Sequence, residues 1–95
     1  RLPIIPEYCE QSYHMFYLIM PTPEKRTAFI QHLQKRWIHA VFHYLPLHLS
    51  KMGVKFGGAK GDCPVTENIS DRLVRLPFYN DLDIETLDFN CFYDF

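Results

Sequence analysis

Prolines set the strongest constraint on how this chain can fold. The apolar run YHMFYLIM at residues 13–20 stops at Pro21, and a second run, IHAVFHYL at 38–45, stops at Pro46. Both runs are rich in aromatic and branched side chains, and proline cannot donate to a sheet ladder, so each reads as a short buried strand with a fixed end. Between them, Thr22-Pro23-Glu24 reads as a helix start. Thr22 can cap the free amides of a first turn, and Pro23 suits the first helical position, where its missing N–H has no partner to lose. Phe29, Ile30, Leu33 and Trp37 then recur at helical spacing, while Lys25, Arg26, Gln34 and Lys35 fall largely on the other face.

The character changes after Pro46. Ser50 to Asp62 holds all four glycines and three lysines, which reads as a long mobile loop. Asp62 or Thr66 is then expected to cap a second helix carrying Val65, Ile69, Leu73 and Val74, followed by a strand at Arg75 to Phe78. A turn at Tyr79-Asn80-Asp81 leads to a segment in which Ile84, Leu87, Cys91 and Phe92 recur at helical spacing, with Asp83 as a cap. The expected fold is α+β: one small domain over residues 1–95, a short sheet covered by helices.

A domain of 95 residues has a modest core, yet 47% of its residues are hydrophobic and 16% aromatic. That surplus predicts an apolar surface patch facing another domain or subunit. A net charge of −1 with no run of like charge gives no footprint for nucleic acid or anionic membrane. The longest apolar stretch, Met15 to Met20, is too short to span a bilayer, and Arg1-Leu2-Pro3 does not open a signal peptide. Cys9, Cys63 and Cys91 lie far apart without a CxxC, which fits structural thiols in a reduced cytoplasm.

The chemistry gathers in FHYLPLH, residues 42–48. His39, His43 and His48, joined by Cys63 or Asp62, are the metal-ligating types present. On a strand, however, residues four apart are separated by about 13 Å, too far for His39 and His43 to share an ion. GGAKGD at 57–62 has the glycines of a phosphate loop but puts Gly61 after Lys60, where such a loop needs Ser or Thr. Asp71, Glu85 and Asp88 form no carboxylate pair pattern, and Ser50 and Ser70 have no visible base. No catalytic, cofactor or metal constellation is complete.

The order HMFYLIM, a helix, HAVFHYLPLH, a glycine-containing loop and CPVTENISDRLVRLPFYNDL resembles the carboxy-terminal part of the DegT/StrS-type nucleotide-sugar aminotransferases. The likeness runs from about Leu2 to Asp83. It is carried by FHYLPLH and by Pro64, Glu67, Ser70, Leu73, Leu76 and Pro77 in a P-x-x-E-x-x-S-x-x-L-x-x-L-P pattern. It implies the small C-terminal domain of a fold-type-I, pyridoxal-phosphate-dependent enzyme that acts as a homodimer on a nucleotide-sugar and an amino donor. The large domain would supply the cofactor site, because none of Lys25, Lys35, Lys51, Lys55 or Lys60 stands in a Schiff-base context. The resemblance places His43, Tyr44 and His48 at the edge of the active site, as substrate contacts or as shapers of the pocket, with Glu67 and Ser70 weaker candidates. Two features depart from the family pattern: Trp37 stands where many relatives have glycine, and the end, LDFNCFYDF, is unusually aromatic. A free-standing interaction module with an aromatic binding surface is the alternative reading.

Overall fold

The computed structural model describes the backbone of residues 1–95 and every side chain except that of Phe89. The first strand, β1 (Phe16–Ile19), is shorter than the run that announces it. Helix α1 (Pro23–Gln34) starts where the sequence places it: Thr22 is extended, its Oγ1 accepts from the amide of Lys25, and Pro23 opens the first turn. The same hydroxyl, with the helix-start backbone, holds the Glu24 carboxyl below its usual range.

The end of α1 explains an oddity in the sequence. Trp37 has φ +61°, its amide donates to the carbonyl of Gln34, and the amide of Ile38 donates to that of Leu33. That pair of bonds defines a Schellman ending, whose left-handed position favours glycine. Here a tryptophan fills it, 96% exposed.

After α1 the chain enters β2, which is only Val41–Phe42 rather than a strand over 38–45. A 3-10 turn at Leu47–Leu49 and a short helix, α2 (Lys51–Lys55), follow. The expected long loop is therefore partly helical. Ser50 organises it: its hydroxyl donates to the carbonyl of Leu47 and accepts from the amide of Gly53. Gly53 hid this helix from a propensity reading, but it is there for space. A Cβ at Gly53 would lie 2.1 Å from the carbonyl oxygen of Leu47, and one at Gly58 would lie 2.4 Å from that of His48.

Helix α3 (Pro64–Arg72) is preceded by Cys63, not capped by Asp62 or Thr66. It passes directly into β3 (Leu73–Leu76), so Leu73 and Val74 are strand residues rather than the end of a helix. Pairing decides this. Leu73 and Val74 face Ile19 and Leu18 across an antiparallel ladder, and both are buried, which outweighs their helical spacing. The sheet is antiparallel with order β1-β3-β2, and Val41 and Phe42 pair with Arg75 and Val74.

Phe29 and Leu33 of α1 pack with Ile38, Ala40, Val74 and Cys91 to form the core. The last segment closes it without the expected helix. Asp83 binds only its own turn, through Glu85 and Thr86. Asp88 caps a single 3-10 turn, Phe89–Phe92, by accepting from the amide of Asn90. Rings then hold the tail on α1: Phe29 lies 6.1 Å from Phe92 and 5.0 Å from Phe95. Nε2 of His32 donates to the carbonyl of Cys91, whose thiol is pushed up by burial first and by Asp88 second. The radius of gyration is 15.6 Å, against roughly 12–13 Å for a tightly packed domain of this length. Much apolar surface stays outside, including Phe42, Leu47, Phe56, Phe78 and Ile84.

Candidate functional site

The segment after β2 leaves the sheet between α1 and α3, and a cavity of about 330 Å³ opens there. Its walls are Arg26 from α1, the chain from Phe42 to Pro46, and Ser70 and Asp71 from α3. His43 and Tyr44 thus stand together where the sequence puts chemistry, their rings 5.3 Å apart. Tyr44 is exposed and His43 half-buried. The Nδ1 of His43 is shut from solvent and has no hydrogen-bond partner among the described residues. Enclosing such a group without a partner costs on the order of 1–3 kcal/mol.

Arg26 is the residue the sequence reading misplaced. It falls on the polar stripe of α1, yet its guanidinium packs over the ring of Phe42 at 5.9 Å. Its Nε is enclosed and unpaired, and the guanidinium makes no hydrogen bond or ion pair with the described residues. Asp71 lines the same cavity without coming within ion-pair distance of it. Only the strand pairing that places Phe42 beneath α1 reveals this role, and the residue pattern does not carry that information. A second arginine, Arg75, lies over the ring of Tyr44 at 5.8 Å.

His48 does not join this group. Its Nε2 donates to Oε1 of Glu67 at 2.8 Å, and both side chains are largely buried. The same oxygen accepts from the amide of Gly61 at 2.8 Å. These two bonds, that of His48 first, hold the Glu67 carboxyl below the usual carboxylate range. Glu67 therefore does more than stabilise a helix start. It ties the glycine segment and the 47–49 turn to α3. The Ser70 hydroxyl is engaged by the carbonyl of Glu67.

Among the described residues no three His, Cys, Asp or Glu side chains could hold a metal ion. His39 lies apart from the cavity, beside Gln34, Trp37 and Ile38. All five lysines are exposed, and none lines the cavity beside β2. An aldehyde cofactor needs an enclosed amine, so the residues present do not fit pyridoxal phosphate as its covalent site. No helix of the described residues is long and apolar enough to cross a membrane.

Fold and cavity together define a small α+β domain with a partly polar, ligand-sized recess at the exit of its edge strand. The family model of the DegT/DnrJ/EryC1/StrS aminotransferase family matches residues 2–89, and the chain belongs to that family. It is also similar to an uncharacterized protein of Methanocaldococcus jannaschii, MJ1066, at 35% identity over 81 residues. That alignment covers 81% of this chain but 21% of the relative, so the chain spans about a fifth of the length of the curated protein it matches. The aminotransferases of the family are pyridoxal-phosphate-dependent in general.

Proposed function

We propose that this chain is the small, C-terminal domain of a nucleotide-sugar aminotransferase, in which it supplies substrate contacts while a separate large domain holds pyridoxal phosphate. The reaction proposed is conversion of a dTDP-linked 4-keto-6-deoxy sugar to the 4-amino sugar, the step that makes dTDP-4-amino-4,6-dideoxygalactose for surface polysaccharide. The full enzyme would work in the cytoplasm as a homodimer. The observation that carries the reading is the recess walled by Phe42 to Pro46 in a chain of this family. His43 and Tyr44 are its substrate-facing residues, and His48 shapes the pocket from behind by fixing the turn that follows Pro46.

The test is turnover of the nucleotide-sugar by the enzyme that carries this domain together with its cofactor-binding domain. His43→Ala should lower kcat/KM by roughly 10- to 150-fold, about 1.5–3 kcal/mol, if its imidazole hydrogen-bonds the substrate. The cofactor absorbance should be unchanged. Unaltered kcat/KM in a folded, cofactor-loaded variant would remove His43 from the site.

An apolar groove lined by Phe16, Leu76, Phe78, Ile84 and Phe92 favours a second activity of the same surface, protein association. In the aminotransferase reading, that groove is where the rest of the enzyme packs.

A further inference from the structure

Two stretches of this chain carry opposite charge beside uncovered apolar surface. Residues 45–61 hold Lys51, Lys55 and Lys60 and no acidic residue. These lysines accompany α2 and the turn before it, which expose Leu47, Met52, Val54 and Phe56, the first and last of them 85% and 81% open to solvent. The acids that follow are already engaged, Asp62 by the amide of Ala59 and Glu67 by His48 and Gly61. None of the three lysines forms an ion pair among the described residues.

Residues 77–95 are the reverse: they hold Asp81, Asp83, Glu85, Asp88 and Asp94 and no lysine, arginine or histidine. The first four are exposed and free of ion pairs among the described residues. Each is next in the chain to Leu82, Ile84 or Leu87, which line the apolar groove together with Phe16, Leu76 and Phe78. The groove therefore has an acidic rim. It is built on β1 and β3, whereas the basic stretch follows β2 at the other edge of the sheet and is tied to α3.

We propose that the basic stretch around α2 of one copy docks in the acid-rimmed groove of a second copy, with Phe56 entering the groove and Lys51 and Lys55 meeting the carboxylates of the rim. The inference goes beyond the aminotransferase reading and does not need it. Where a large domain is present, the second copy competes with it for the groove. Each chain carries both halves of the contact, and the halves match in charge as well as in apolar character. An anionic lipid surface or a nucleic acid would answer the lysines but be repelled by the rim, leaving the groove uncovered. The bonds of Ser50 and Glu67 and the close packing of Gly53 hold the basic stretch in shape, so docking orders little that is still free. Four apolar side chains offer less than the ~800 Å² per partner of a stable complex, so the association is weak, with a Kd on the order of 10–100 µM.

The experiment is sedimentation equilibrium of this chain from about 10 µM to about 1 mM, a range that brackets that affinity. The average mass should rise above 11.3 kDa with concentration, and salt at about 0.5 M should weaken the association severalfold. Lys51→Glu/Lys55→Glu and Asp81→Lys/Glu85→Lys should each weaken it by about tenfold or more, because like charges then face each other. An equimolar mixture of the two variants should associate again, since the reversed stretch of one meets the reversed rim of the other. Phe56→Ser should also weaken association by about tenfold. Circular dichroism checks each fold, and a reversal that unfolds the chain is replaced by its neutral form, Lys51→Gln/Lys55→Gln or Asp81→Asn/Glu85→Gln, with a loss of about threefold expected. A parent that stays at 11.3 kDa throughout, reversals that associate like the parent, or a mixture that remains monomeric would overturn the proposal. So would binding of the parent to phosphatidylglycerol vesicles without self-association, which would give the basic stretch to a lipid surface. Turnover of nucleotide-sugars by the full enzyme bears on none of these outcomes, so the two readings fail separately.

Discussion

His43 and His48 sit in one seven-residue stretch, on either side of Pro46, yet their surroundings differ in kind. Around His48 the polar groups are paired: its ring meets Glu67, Glu67 also receives the amide of Gly61, and Gly53 and Gly58 bring backbone against the 47–48 segment closer than any side chain would permit. Around His43 they are unpaired: its Nδ1 and the Nε of Arg26 are enclosed without partners among the described residues, beside a cavity. Folding alone accounts for the first region, because each contact there lowers the free energy of the folded chain. It accounts less readily for the second, since enclosed polar atoms without partners oppose folding. The difference separates the scaffold from the surface it presents.

The comparison breaks most readily at the glycines. Gly53→Ala would force its Cβ into the carbonyl of Leu47, so it should destabilise the chain by about 2–3 kcal/mol despite the usual gain of alanine in a helix. Thermal unfolding checks this, and an unchanged midpoint would show that the segment packs less closely than described. Gly57, with φ +93° and open space around it, should suffer from backbone strain alone.

Acid sharpens the contrast in a second way. The Glu67 carboxyl is held below its ordinary value of 4.5, chiefly by the hydrogen bond from His48 and then by the Gly61 amide. A depressed carboxyl stabilises the fold above its unfolded pKa, and that contribution is lost as pH falls through the folded value, because the unfolded chain binds the proton first. Stability should therefore decline as pH drops below about 4.5. Glu67→Gln should flatten that decline, and Glu24, depressed through Thr22, accounts for part of what remains. A variant with the parent's full acid dependence would dissociate the His48 cluster from stability.

The smallest effect is expected at Trp37. Its left-handed backbone strains a residue with a Cβ, and its ring is 96% exposed, so little packing is lost with it. Trp37→Gly should stabilise by about 0.5–1 kcal/mol, the left-handed strain removed less the added freedom of the unfolded chain. A loss measured in denaturant would mean that Trp37 makes a contact worth more than its strain.

Much of this architecture was legible before any coordinates. Thr22-Pro23 marks the start of α1 because capping is local, and Pro21 ends β1 because a missing donor is local. Where the reading failed, the deciding partner was distant. Leu73 and Val74 look helical until β1 pairs with them, and Gly53 looks like a loop residue until the 47–48 backbone packs onto it. The tail looks helical until its rings settle on Phe29. The site divides in the same way. His43 and Tyr44 are candidates through the family resemblance of FHYLPLH, whereas Arg26 lines the recess only because the fold sets it over Phe42. His48 carries the same sequence signal as His43, and only its partner Glu67, nineteen positions away, separates their surroundings.

That separation is tested most directly by unfolding His43→Ala and His48→Ala side by side in this chain. His48→Ala removes the largely buried hydrogen bond to Glu67 and leaves that carboxylate short of a partner, and should cost about 1–3 kcal/mol, a fall in midpoint of roughly 5–15 °C for a domain of this size. His43→Ala removes an enclosed nitrogen that has no partner among the described residues, and should leave stability within about 0.5 kcal/mol of the parent or raise it slightly. A His43→Ala chain destabilised as much as the His48→Ala chain would contradict the account and make both histidines part of the scaffold.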